Sequence, residues 1–135
     1  GPFMDVDDGR VVSNFCVQAL RNIPLTIYGD GQQTRSFCYV DDLVSGFLFL
    51  MNSNLEVPVN LGNPREFTMI KLAEKIIEMT GTSSEYILHD LPEDDPQRRC
   101  PAIGLAKSEL GWSPEITLSE GLVPTLEWFN RCLND

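Results

Sequence analysis

Apolar residues recur along the chain with two periods, and the switches between them mark out the elements. Val11, Val12, Phe15, Cys16, Ala19 and Leu20 return at helical spacing, which predicts a helix over residues 10–21 with one apolar face. Pro24-Leu25-Thr26-Ile27-Tyr28 reads as a short strand stopped by Gly29-Asp30-Gly31, and Ser36 to Tyr39 reads as extended. Asp41 and Asp42 stand where negative charge favours a helix N-terminus. Behind them Leu43, Val44, Phe47, Leu48, Leu50 and Met51 give a helix with a broad apolar face. Val57-Pro58-Val59-Asn60-Leu61 alternates like a strand and ends at Gly62-Asn63-Pro64.

Thr68 is the expected cap of a third helix, with Ile70, Leu72, Ala73, Ile76, Ile77 and Met79 inward and Gly81 past its end. Tyr86-Ile87-Leu88 reads as a further strand, and Pro92 through Pro101 as an irregular polar loop. A short helix is expected from Ala102 to Leu110, stopped by Gly111. Thr117-Leu118-Ser119-Glu120 has capping-box spacing, and Leu118, Leu122, Leu126, Phe129 and Leu133 line one face of a last helix. Pro124 inside that helix is expected to kink it or delay its start.

Strands separated by helices argue for an α/β fold, here with three or four short strands in one small sheet. The helices near residues 10–21 and 40–51 look more apolar than this chain can cover, so a partner surface and a tendency to associate are expected. The 135 residues suffice for one domain, 1–135, with a real core. A net charge of −10 argues against nucleic acid and against an anionic membrane surface as partners. No apolar run approaches the roughly 20 residues that span a bilayer. Cys16, Cys38, Cys100 and Cys132 form no close pair, which argues against zinc and for reduced thiols in a cytoplasmic setting. No signal peptide is visible. The start at Gly1-Pro2, without methionine, reads as an expression scar or a piece of a longer chain.

Four arginines stand out: Arg10 after an acidic-glycine turn, Arg35 after Gly29-Asp30-Gly31, and Arg98 and Arg99 after Asp95-Pro96. Arginine gives permanently charged, bidentate donors suited to a pyrophosphate, and a Gly-x-Gly turn lets backbone N–H groups approach a phosphate. On spacing alone the commoner use of such arginines is pairing with nearby carboxylates, and most Gly-x-Gly triplets are plain turns, so both readings stay open. Asp94 and Asp95 fit either an acid/base pair or supports of the arginine loop. His89, the only histidine, has no ligand or nucleophile at useful spacing.

Beyond these residues the chain resembles a known family. Asp8-Gly9-Arg10-Val11-Val12-Ser13-Asn14-Phe15, Pro24 to Gly31 and Gln33-Thr34-Arg35-Ser36-Phe37 are similar to extended short-chain dehydrogenase/reductases acting on nucleotide sugars. So are Asn60-Leu61-Gly62-Asn63-Pro64 and Leu110-Gly111-Trp112. Asp94-Asp95-Pro96-Gln97-Arg98-Arg99 narrows the resemblance to UDP-glucuronate decarboxylases, with sugar-nucleotide epimerases and 4,6-dehydratases sharing the layout. Only the family's C-terminal, substrate-binding region is matched; its glycine-rich dinucleotide turn and Y-x-x-x-K pair do not occur here.

The resemblance implies a part of an NAD-dependent lyase that is inactive alone and binds no NAD itself. Its partners would be a UDP-sugar and a missing N-terminal Rossmann part able to carry a membrane anchor, with room for a homodimer. It places Arg10, Gln33 and Arg35 on the UDP moiety, runs Leu25, Thr26, Ile27 and Tyr28 past uracil and ribose, and sets Arg98 beside the substrate. It gives Arg99 the pyrophosphate and the reacting carboxylate: in the family, NAD oxidises the sugar at C4, the β-keto acid loses carbon dioxide, and the ketone is reduced again. A non-catalytic binding module is the alternative of another class. Phe3 in place of an arginine, Ala102 in place of a capping aspartate, and Pro124 depart from the family pattern.

Overall fold

The computed structural model describes residues 1–90 and 97–134. The elements are α1 (Val11–Leu20), β1 (Leu25–Tyr28), β2 (Thr34–Ser36), α2 (Val40–Met51) and β3 (Glu66–Thr68), followed by α3 (Met69–Thr80), β4 (Tyr86–His89), β5 (Arg98–Arg99), α4 (Gly104–Leu110) and α5 (Leu118–Asn134). The fold is α/β, with its described strands in two small sheets rather than one. β1 pairs in parallel with β4, Leu25 opposite Tyr86 and Tyr28 opposite His89. The second sheet runs β3-β2-β5, antiparallel on the β3 side and parallel on the β5 side.

The main core lies where α1, α3 and α5 close over β1. Phe15, Cys16, Leu25, Ile27, Leu72, Ile76, Leu122 and Phe129 are each no more than 2% exposed. This corrects the expectation for α1, whose apolar face is covered from within the chain. Periodicity shows that a face is apolar; only the path of α3 and α5 decides what lies against it. Burial also pushes the Cys16 thiol up to about 12, so it packs as a small apolar group.

α2 keeps the expected exposure: Phe47 is 51%, Leu48 54% and Met51 78% exposed. Phe47 and Met51 are four residues apart on one helix face. The double variant Phe47→Ser, Met51→Ser should therefore reduce self-association in light scattering, with stability changed by no more than about 0.5 kcal/mol. Unchanged association would show that this face is not the adhesive one.

A second, smaller cluster gathers Ile103, Ala106, Leu110 and Trp112 with Leu50, Leu55, Val59 and Leu61. Here Val57–Leu61 departs from the expected strand. Val59 and Leu61 turn inward while Val57 is 53% exposed, but no described strand pairs with the segment to make a ladder. In the stretch expected to be extended, Ser36 ends the β2 ladder, which begins earlier at Thr34, and Tyr39 has extended backbone just before α2. The loop expected up to Pro101 contains β5.

The helix ends follow local chemistry closely. Thr68 Oγ1 accepts the Lys71 N–H at 3.2 Å, and Gly81 ends α3 in a left-handed conformation. Ile103, whose side chain carries no acceptor, precedes α4 without a side-chain cap. The capping box forms: Thr117 Oγ1 donates to Glu120 Oε2 at 2.6 Å and accepts the Glu120 N–H at 3.3 Å. α5 thus starts at Leu118, ahead of Pro124, and its start is not delayed. Asp42 does more than sit at a helix terminus. Its Oδ2 accepts the N–H groups of Glu115 and Ile116 at 3.1 and 2.9 Å, tying α2 to the segment before α5. The Phe3 ring packs against Trp128 at a tilt of 53°, with ring centroids 4.7 Å apart.

Candidate functional site

A cleft of about 840 Å³ opens between the β2–β5 pair and the N-termini of α1 and α5. Arg10 and Val11 contribute from the start of α1, Arg35 through Tyr39 from β2 and the chain behind it, and Arg98 through Pro101 from β5. Thr117, Gly121 and Thr125 close the far side. Four of the chain's ten basic residues border this opening in a molecule whose net charge is −10; of these, Arg10 faces Asp8 and Arg98 is bound by Glu66. A cationic cleft in an acidic protein focuses its field on anions.

The register of β2 and β5 sets the geometry. Arg35 and Arg99 are direct partners across the parallel ladder, as are Thr34 and Arg98. Neighbouring strands lie about 4.8 Å apart, and residues in register project to the same face. Two guanidinium-bearing residues thus stand side by side, within reach of a single multivalent anion. Arg35 Nη1 also donates to the Thr34 carbonyl at 2.8 Å, which orients the guanidinium.

Arg98 is differently engaged. Its Nε donates to Glu66 Oε1 and Oε2 at 2.8 and 3.0 Å, and its Nη2 to Oε2 at 2.5 Å. Glu66 Oε1 also accepts Thr34 Oγ1 at 2.6 Å. The Arg98 hydrogen bonds first, then that of Thr34, pull the Glu66 carboxyl down to about 2. Because the folded value is depressed, this contribution is present above the ordinary value near 4.5 and is lost as pH falls towards about 2. The gap in Tm between the wild type and Glu66→Gln should be constant from neutral pH down to about 5.5 and then shrink; thermal denaturation across pH 7 to 2.5 reads it. A gap that persists at the acid end would remove the ion pair as its cause.

The other expected site residues lie elsewhere or are otherwise occupied. Arg10 is at the cleft mouth, largely exposed and 3.5 Å from Asp8. Leu25 and Ile27 are in the main core. Thr26 is held by Gln18, whose Oε1 accepts the Thr26 N–H at 3.1 Å and whose Nε2 donates to Thr26 Oγ1 at 2.9 Å. Tyr28 is half exposed, its ring 5.9 Å from that of His89. Gln33 is buried and donates to the Tyr28 carbonyl at 2.5 Å. None of Leu25, Thr26, Ile27, Tyr28 and Gln33 lines the cleft. Nor does Gly29-Asp30-Gly31: Gly31 has φ +72°, and an added Cβ would stand 2.6 Å from Ile70, so the turn is shaped for packing. Asp94 and Asp95 lie outside the described residues.

Sequence reasoning missed Cys38, Cys100, Gly121 and Thr125 as cleft residues. Gly121 has a steric reason, since a Cβ there would lie 2.7 Å from the Tyr39 ring. No local pattern signals it, because α5 and Tyr39 meet only in the folded chain. Among the described residues no group of three His, Cys, Asp or Glu is placed to hold a metal, and no helix is long and apolar enough to cross a membrane.

Comparison with known proteins agrees with this architecture. Residues 1–62 match the NAD dependent epimerase/dehydratase family. The chain is 51% identical over 134 residues to UDP-glucuronic acid decarboxylase 3 of Arabidopsis thaliana, covering 99% of this chain and 39% of that protein. It spans about a third of the length of the curated relatives it matches. UDP-glucose 4-epimerase of Thermotoga maritima, solved with UDP-glucose, superposes with a TM-score of 0.93 at 33% identity, over 98% of this chain and 43% of that one. UDP-glucuronic acid 4-epimerase of Bacillus cereus, solved with UDP-glucuronic acid and NAD, gives 0.88 at 25% identity, over 98% and 42%. Sequence and fold agree along nearly the whole chain, which belongs to the NAD dependent epimerase/dehydratase family of extended short-chain dehydrogenase/reductases.

Proposed function

We propose that the cleft binds the diphosphate of a UDP-sugar, and that the chain is the nucleotide-sugar-binding part of an NAD-dependent UDP-glucuronate decarboxylase. The observation that carries the reading is Arg35 opposite Arg99 on one face of a parallel ladder, at the mouth of a cationic cleft. A diphosphate offers both arginines oxygens in the plane of each guanidinium fork. The start of α1 adds backbone N–H groups, since Arg10 caps it with no side-chain hydrogen bond. The identity of 51% to a decarboxylase, against 33% to a 4-epimerase, favours decarboxylation over epimerisation. Arg99 then faces the glucuronate end as well, where a fixed cation orients the carboxylate that leaves.

The described residues do not fit a dinucleotide. Their glycine turn, Gly29 to Gly31, leads into β2 and not into a helix N-terminus, so no strand–turn–helix cradle is formed. NAD supplies hydride chemistry in the longer enzyme of this reading; this chain binds and orients the sugar nucleotide. Calorimetric titration tests the reading: UDP and UDP-glucuronate should give saturable heats and NAD none. A chain with native circular dichroism that takes up no UDP overturns it.

A further inference from the structure

We infer that Glu66 is a positioning residue for the arginine pair: from the opposite face of the β3-β2-β5 sheet it holds β5 in the register that sets Arg99 beside Arg35. The inference rests on the diphosphate reading of the cleft and assigns the part that keeps the site assembled.

The strand geometry separates two faces. Side chains alternate along a strand, and residues in register share a face. Thr34 and Ser36 on β2, Glu66 on β3 and Arg98 on β5 therefore project to one side. Arg35 and Arg99, with Phe67 beside Arg35, project to the other. Glu66 spans the sheet on its own face, accepting from Thr34 on the central strand and from Arg98 on the far one. β5 has only two residues, Arg98 and Arg99, and its backbone attachment includes one bond from the Thr34 N–H to the Gln97 carbonyl at 3.0 Å. The Ser36 hydroxyl adds a bond to the Arg99 carbonyl at 3.2 Å.

So short a strand carries little pairing energy of its own, and local opening separates it readily from β2. The bidentate Glu66–Arg98 pair acts against that separation, and its planar geometry favours this register. Arg98 thereby spends its guanidinium on the sheet, one position from the arginine that faces the ligand. Moving a binding group by about 1 Å is enough to cost a large factor in affinity, so the clamp matters even though it touches no ligand.

The test measures the Kd for UDP by calorimetry, with stoichiometry and Tm recorded for each variant of the protein. Glu66→Gln and Arg98→Ala should each weaken UDP by about ten-fold, with one site per chain retained and Tm within a few degrees of wild type. The double variant should be no weaker than either single, because both break the same clamp. The exchange Glu66→Arg with Arg98→Glu should recover most of the affinity, which a general loss of folding would not allow. Thr34→Val, which removes the other anchor of Glu66, should give a smaller loss and serves if Glu66→Gln fails to fold. Wild-type affinity in Glu66→Gln alongside loss in Arg35→Ala overturns the inference and leaves the cleft reading standing. A double variant much weaker than Glu66→Gln alone shows Arg98 on the ligand itself, and overturns it too. Wild-type affinity in both Arg35→Ala and Arg99→Ala overturns the cleft reading and the inference with it.

Discussion

Arg35→Ala is expected to weaken UDP binding by about ten- to a hundred-fold. A hydrogen bond to a charged group contributes about 1.5–3 kcal/mol, and each 1.4 kcal/mol is about a factor of ten in affinity. Arg35 is partly buried, its Nη1 is fixed on the Thr34 carbonyl, and its strand partner is Arg99, so little reorganisation precedes binding. Arg99→Ala should weaken UDP by a similar factor. In the longer NAD-dependent enzyme proposed above, it should also lower turnover at saturating UDP-glucuronate, because its proposed second contact is the carboxylate that reacts. A loss confined to KM would give Arg99 the phosphates alone. If both were only surface ion-pairing groups, each would contribute about 0–1 kcal/mol and the UDP affinity would stay near wild type. Titration of UDP into the two variants separates these outcomes.

Phe129→Ala should be the most damaging apolar truncation in α5. Phe129 is fully buried among residues of α1, α3 and β1, with Phe15, Leu72 and Ile76 in the same cluster. Removing a buried phenyl ring costs about 3–5 kcal/mol, against a total stability of about 5–15 kcal/mol for a domain. The expected fall in Tm is on the order of 10–20 °C. Phe49→Ala on α2, where the ring is 48% exposed, should change stability by less than about 1 kcal/mol. Urea denaturation of the two variants gives the contrast. Comparable losses at both positions would mean that the core is not centred where α1, α3 and α5 meet.

The residues that made the elements legible are those whose effect is local. Thr68 and Gly81 mark the ends of α3 because a hydroxyl can accept a helix N–H and a glycine can turn left-handed without a neighbour's help. Thr117 and Glu120 start α5 by bonding each other, and this holds despite Pro124 further along. The β3 and β5 strands left no such trace. Three and two residues long, they are strands only because β2 runs between them, and their partners are roughly 30 and 60 residues away in the chain. Val57–Leu61 shows the converse. Its alternation is real and turns Val59 and Leu61 inward, yet an alternating segment is no strand until another lies beside it.

The same division runs through the site. The sequence by itself determined which residues carry permanent positive charge, where the helices begin and end, and which helix faces are apolar, because these depend on side-chain chemistry and near neighbours. Only the tertiary structure decided that the α1 face is covered and the α2 face is not. It also decided that Leu25 and Ile27 serve the core, that Arg98 bonds Glu66, and that Arg35 and Arg99 stand in register at one cleft. The physical reason is that each of these outcomes is a distance between groups far apart along the chain. Such a distance is set by the packing of α1, α3 and α5 over β1 and by the register of β2 against β5, and no local propensity encodes either.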